Sequence, residues 1–351
     1  MCLIMSDELD FQDQHGVVPA PPAQSAPDEV ERPHDRLAAI DQAATNYVRA
    51  QRPANTSRAY AADWDAWCCY CASIGFSSRD ISPGLLTGFV RWLETGQHRT
   101  DSQPAAPSTI RRRLYGTVTA LTEHNVELPK NITAQANEAI KAYERRLARD
   151  GHRRGRGQTP AATVKQLRAI CTELPSTLVG SRDRAVLLLG FAVAARRDEL
   201  AHLAAGDITD DENGLLVQIR YSKTAERTIA VPYGSRAITC PVRAWHSWRK
   251  TAGITDGRAF RSVDRHGNLG HSITAAGIGN AISRAADHAG LMVHFTGHSL
   301  RSGLATEARR AGHDPHAIAK QGGWAGNSAV LHGYMRIVDQ WDDSALKNIG
   351  L

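Results

Sequence analysis

Apolar residues recur at helical spacing through the first half of the chain. Leu37 to Gln51 has this pattern, and the stretch after it is clearer. There Thr56 or Ser57 can cap, Tyr60, Trp64, Trp67, Cys68 and Cys71 follow on one face, and Gly75 is a stop. Ser82-Pro83 starts another helix, which turns Phe89, Val90 and Leu93 inward until Gly96. Pro107-Ser108 starts a third, with Ile110, Leu114, Val118 and Leu121 on one stripe and Arg111, Arg112 and Arg113 spread around it. A fourth runs from about Thr133 to Arg149. The pattern predicts a compact helical domain over residues 36–149.

The second half opens differently. Thr159-Pro160 reads as a cap with proline at the first helical position, and Ser181 and Asp183 open an apolar helix that ends at Ala194-Ala195-Arg196. After Asp207 the period changes to strand-like alternation. Leu215 to Lys223 and Arg227 to Pro232 flank a short turn carrying Lys223, Thr224 and Ala225, which predicts a hairpin with a lysine near its tip. The acids Asp210, Asp211 and Glu212 before it read as a turn. Helical patterns return over Pro241 to Ala252 and Ile273 to His288, then continue towards the end. The expected fold is mainly α with a small antiparallel β-sheet, an α+β domain over residues 161–336.

Between the two halves, Arg149 to Pro160 reads RDGHRRGRGQTP, a Gly- and Arg-rich stretch without a large apolar residue. It predicts a flexible basic linker over residues 150–160, from which Arg153, Arg154 and Arg156 can reach a phosphate backbone. Residues 17–27, VVPAPPAQSAP, have little to bury, so residues 1–35 are expected to be a disordered tail. Residues 337–351 form a C-terminal tail that keeps enough apolar side chains to need a surface.

Composition narrows the classes. With 351 residues the chain has length for two cores. Its longest apolar run, Ala185 to Ala195, is eleven residues and holds Gly190, which is too short to cross a bilayer. Asp7, Glu8 and Asp10 fall where a signal peptide would be apolar, so no secretory leader is expected. Six cysteines make no disulfide framework at this length; Cys68 and Cys71 read as packed free thiols, and a reducing cytoplasm fits. The net charge of +6 understates the folded part, because residues 1–33 carry seven acids against one base and the remainder is +12. Such an excess suits a polyanionic partner, since neutralised phosphates release counterions.

The chemistry concentrates near the C-terminus. His298-x-x-Arg301, a Gly-Gly-Trp turn at Trp324 and Tyr334 ten residues further on lie downstream of Arg196, which precedes Glu199-Leu200. In this order the residues resemble the tyrosine recombinases, the phage-integrase family of site-specific DNA recombinases, over most of residues 180–340. The resemblance implies a helical core-binding domain followed by a catalytic domain. It implies that Arg196 and Arg301 hold the scissile phosphate, with His298 and Trp324 as further donors, and that Tyr334 is the nucleophile. Lys223 on the hairpin is then the general acid for the departing 5′-oxygen. The Glu199-Leu200 pair sets the register that selects Arg196 over Arg197.

A planar guanidinium meets two phosphate oxygens at once, and each well-placed donor is worth about 3–4 kcal/mol in the transition state. Forming a phenolate from a free phenol at pH 7 costs roughly 4 kcal/mol, which nearby arginines and a proton-accepting histidine reduce. A covalent 3′-phosphotyrosine conserves the bond energy, so no ATP, metal or other cofactor is implied. The Trp324-to-Tyr334 spacing is one residue longer than that of much of the family, and Ala325 to Ser328 is a turn able to absorb it. The implied partners are double-stranded DNA with inverted-repeat core sites and three further copies in a tetramer, with accessory DNA-bending proteins able to join and no membrane. Arg111–Arg113, and Ser272 and Thr274 before the His-x-x-Arg helix, are candidate DNA contacts; a solvated face and a helix cap are their ordinary roles. The leading expectation is the integrase of a mobile element, bacterial or phage-encoded and nucleoid-associated. A type IB topoisomerase-like relaxing enzyme and a catalytically silent DNA-binding protein are the alternatives.

Overall fold

The computed structural model describes residues 33–155, 157, 159–222, 225–342 and 344–346. The chain divides into two compact units, one ending at Gly155 and the other starting at Arg156. The expected tail over 1–35 lies outside the described residues except for its last three, which already belong to a helix.

The first unit holds α1 (Pro33–Ala50), α2 (Ala54–Ser73), α3 (Pro83–Glu94), α4 (Pro107–Glu123) and α5 (Ala134–Arg149). Ser82 caps α3 by accepting from the Leu85 amide, with Pro83 at the first position. The start of α2 corrects the sequence reading: it begins at Ala54 after Pro53, and neither Thr56 nor Ser57 caps it. Proline's fixed φ and missing N–H suit a helix entry without a side-chain cap. Trp67, Phe89, Val90, Leu93, Ile110, Leu114 and Ile140 form the core, with Trp67 and Phe89 edge to face at 5.4 Å.

The second unit runs α6 (Val164–Glu173), α7 (Leu178–Ala192), α8 (Arg197–His202), β1 (Ile208–Asp211), β2 (Gly214–Ile219), β3 (Arg227–Pro232), α9 (Pro241–Thr251), α10 (Ala275–His288), α11 (Gly297–Arg310), α12 (Pro315–Gly322) and α13 (Ala329–Asp342). Two helix starts differ from expectation. Thr163, not Thr159, caps α6, with Gln166 completing a capping box. Thr177 caps α7, and Ser181 and Asp183 lie inside that helix. Asp183 is tolerated there because it is buried against Arg182 at 2.7 Å and Arg284 at 2.5 Å. The acids read as a turn before the hairpin are partly strand. Ile208–Asp211 pairs antiparallel with β2, giving a three-stranded sheet of order β1-β2-β3. The sequence signal is weak because only Ile208 of β1 is buried. The β2–β3 pairing, Leu215 with Val231 and Val217 with Ile229, follows the predicted alternation.

Helix α7 is the spine of this unit. It buries Ala185 through Gly190 on every side, so it has no polar face to read. Among the described residues no helix is long and apolar enough to cross a membrane. Cys68, Cys69, Cys71, Cys171 and Cys240 are free thiols.

Candidate active site

The site begins where α7 stops. The chain turns through Ala194 at φ +47, a left-handed conformation rare for a residue with a Cβ. Two carbonyls near this turn are used from α11 and α12: Arg301 Nη1 donates to Ala194 O at 2.6 Å, and Gln321 Nε2 donates to Ala192 O at 2.8 Å. Arg196 follows at the N-cap of α8. Its amide donates to Glu199 Oε2 at 3.0 Å and its Nη1 to Glu199 Oε1 at 2.6 Å.

Arg301, on the second turn of α11, is 3% exposed. Its Nη1 also donates to Gly322 O at 2.6 Å, and its Cζ lies 3.8 Å from the centre of the Trp324 ring. The Nη2 group is buried with no hydrogen-bond partner among the described residues. Burial above all, then repulsion from Arg196 and Arg227 and partly offset by Glu199, pushes the Arg301 guanidinium down to about 9. Among the described residues, three arginines, Arg196, Arg227 and Arg301, surround the Glu199 carboxylate, so positive charge is in excess there. An anion there would be stabilised by fixed donors that need not reorganise.

Trp324 leaves α12 after Gly323, which ends the helix at φ +63. A Cβ at Gly322 would collide with the Trp324 ring, so glycine is needed for the indole to fold back. Trp324 meets the Tyr334 ring at 6.2 Å in an edge-on arrangement. The Ala325–Ser328 turn absorbs the longer spacing: Ser328 donates its amide to Ala325 O at 3.0 Å before α13 begins. Leu331 and Met335 then pack with Ala305 and Ile318, and Thr306 Oγ1 donates to the Tyr334 carbonyl at 3.0 Å. These contacts fix the turn of α13 that carries Tyr334. The first part of the predicted tail is in this helix as well, with Asp339 paired to Arg309 at 2.5 Å.

His298 sits in the first turn of α11, which Thr296 caps. Solvent reaches the residue, yet partial burial of the ring, then the charges of Arg197, Arg301 and Arg196, pushes its imidazole below the usual value. Arg197 is itself exposed, and its side chain lies against Gly279 and Gly297, where a Cβ would collide with it.

The residue that periodicity did not single out is Arg227. It is 8% exposed and donates through Nη2 to Glu199 Oε2 at 2.8 Å. A signal was available: on β3, Arg227 shares inward parity with the buried Ile229 and Val231, and an arginine on that face must find an anion. Glu199, read only as a register mark, is the hub. Burial pushes its carboxyl up, but hydrogen bonds and charge from Arg227, with bonds from Arg196, outweigh this and hold it at about 2.

Lys223 and Arg156 lie outside the described residues. Arg111 pairs with Glu144 at 3.0 Å, Arg112 with the buried Asp63 at 2.5 Å, and Arg113 faces Asp63 at 3.9 Å. Arg153 and Arg154 are exposed after α5. Thr274 caps α10 by accepting from the Gly277 amide at 3.0 Å, its ordinary role, while Ser272 is exposed beside it. Among the described residues no group of three His, Cys, Asp or Glu could hold a metal ion.

Residues 160–340 match the pattern of the phage integrase family. An integrase/recombinase xerD homolog of Selenomonas ruminantium is 30% identical over 307 residues, covering 84% of this chain and 85% of the relative. A XerH site-specific recombinase bound to a palindromic difH substrate, in a post-cleavage complex, has a TM-score of 0.56 at 18% identity, over 82% of this chain and 78% of that one. A lambda integrase tetramer bound to a Holliday junction has a TM-score of 0.52 at 14% identity, over 85% and 76%. At such identities the two structures speak for the fold alone. The family match and the Selenomonas relative mean that the chain belongs to the phage integrase family and is a tyrosine recombinase.

Proposed function

We propose that the chain is a site-specific recombinase that cuts and rejoins DNA through a covalent 3′-phosphotyrosine, and that it serves as the integrase of a mobile element. The observation that carries the chemistry is Arg301: a buried cation whose Nη2 has no hydrogen-bond partner among the described residues, seated on Trp324, whose ring in turn borders Tyr334. A scissile phosphate supplies the anion this arrangement lacks. Arg196 and Arg301 hold its non-bridging oxygens, and the Trp324 indole N–H adds a donor.

Tyr334 Oη attacks phosphorus and its proton passes to His298, which is neutral at pH 7 because its imidazole lies below the usual value. The P–O5′ bond breaks as Lys223 delivers a proton to the leaving oxygen. Reversal with a different 5′-hydroxyl rejoins the strand, so the bond energy is kept and neither metal nor nucleotide enters. In this reading the helical first unit binds duplex DNA, with Arg153 and Arg154 on its backbone. Four copies assemble on paired inverted repeats, as the lambda integrase tetramer does on its Holliday junction. The segment beyond α13 docks on a neighbouring copy.

Tyr334→Phe tests the reading. On a nicked suicide substrate the variant should bind DNA with near-native affinity and form no covalent adduct. An adduct that persists in the Phe variant removes Tyr334 from the mechanism.

A further inference from the structure

The last residue of the chain before Lys223 is Ser222, and its hydroxyl donates to the buried Glu199 Oε1 at 2.9 Å. The two residues ahead of it are held on the same side. Arg220 forms an ion pair with Asp207, and the Tyr221 ring stacks on His202 with centroids 4.1 Å apart. Arg220, Tyr221 and Ser222 thus run along the segment from α8 to Asp207, the segment that Arg196 caps. On the far side of the loop, Arg227 returns to the same carboxylate at 2.8 Å. Both stems of the β2–β3 loop therefore end on Glu199, and only residues 223–226 lie between them.

The three contacts on the β2 side are not equal. Arg220 and Tyr221 are exposed, where an ion pair or ring stack is screened or shared with water. The Ser222 bond runs to an ionised, 2%-exposed carboxylate, and hydrogen bonds to charged acceptors are roughly twice as strong as neutral ones. The low value of the Glu199 carboxyl agrees, since it keeps the acceptor charged at any working pH.

We propose that Ser222 is a positioning residue: its hydroxyl latches the loop onto Glu199 and so sets the base from which Lys223 reaches the leaving oxygen. This rests on the reading of Lys223 as general acid. Glu199 Oε1 accepts from Arg196 and Ser222 together, so one carboxylate holds both the phosphate-binding arginine and the residue that precedes the acid. A purely supporting role for the hydroxyl is the rival, since it lies 3.5 Å from both Arg196 Nη1 and Arg227 Nη1.

Single-turnover cleavage of two suicide substrates separates these, one with an ordinary phosphodiester and one with a 5′-bridging phosphorothiolate, whose thiolate leaves without a proton. Ser222→Ala should cut ordinary DNA about ten- to a hundredfold more slowly, the effect of losing a hydrogen bond to a charged group, and cut the phosphorothiolate near the native rate. Ser222→Thr, which keeps the hydroxyl, should restore most of the loss. Equal slowing on both substrates assigns the hydroxyl to the arginines and overturns the proposal, as does native cleavage by the alanine variant or a threonine variant as slow as alanine. Lys223→Ala is run alongside. If the phosphorothiolate rescues Lys223→Ala but not Ser222→Ala, only the latch is wrong. If it rescues neither, the assignment of the acid falls and the latch with it.

Discussion

Asp63 and Glu199 are both buried carboxylates gripped by arginines, yet their environments drive them in opposite directions. Asp63, in the first unit, is fully buried, and burial raises its carboxyl despite the attraction of Arg112 and Arg113. Glu199, in the second, is held at about 2. The difference lies in the partners. The Arg112 side chain is 46% exposed, so water screens the cation that touches Asp63. Arg227 is buried with Glu199, and Arg196 adds two hydrogen bonds, one of them from its own amide. A buried acid is held below its ordinary value when its cations are desolvated with it. The surroundings then differ in use. The charge of Asp63 and Glu144 occupies the Arg111–Arg113 cluster from within its unit, whereas the arginines around Glu199 leave positive charge over for a ligand.

The largest expected effect tests that surplus. Arg301→Ala should lower single-turnover cleavage by about 10²–10³ or more at saturating DNA, as loss of a preorganised donor does. Arg112→Ala should act on DNA affinity or stability and leave that rate nearly unchanged. Comparable losses of rate in both variants would break the comparison.

A smaller effect concerns stability. Because the folded value of Glu199 lies below 4.5, its contribution is fully present above about pH 4.5 and is lost as pH falls towards 2. The shift is worth about 3 kcal/mol at neutral pH. Asp63 has the opposite sign. Its folded value is raised, so its ionised form costs stability above that value and the cost is relieved as pH falls. In urea unfolding at pH 7, Glu199→Gln should therefore destabilise more than Asp63→Asn. A larger loss in Asp63→Asn would contradict the account of the two environments.

The smallest concerns pH. The acid limb of kcat/KM set by His298 should lie below pH 6.5, since burial and the arginines favour its neutral form. Arg197→Ala, which removes the largest of those charges, should move the limb upward towards 6.5. A limb that shifts downward would exclude the electrostatic cause.

Periodicity makes the helical first unit legible, because α3 and α4 each turn one apolar stripe inward. It also makes the β2–β3 pairing legible, because period-two burial has a single consistent register. It fails at α7, which is buried all round and shows no boundary, so the pattern places its start at Ser181 although Thr177 caps it. It fails at β1 for the opposite reason, since three of its four residues are exposed.

The six candidate residues are legible because their types and order along the chain resemble those of the tyrosine recombinases. Five of them lie within the described residues. Their arrangement belongs to the tertiary structure. Sequence order could not say that Arg227, thirty-one positions after Arg196, would reach the same carboxylate, or that Ala194 and Gly322 would offer their carbonyls to Arg301. Nor could it say which arginines would be neutralised within their own unit and which would keep charge to spare. Local spacing determines which face of a helix or strand a residue occupies. Whether a charge on that face is desolvated, and by how many partners, depends on which distant segments pack over it.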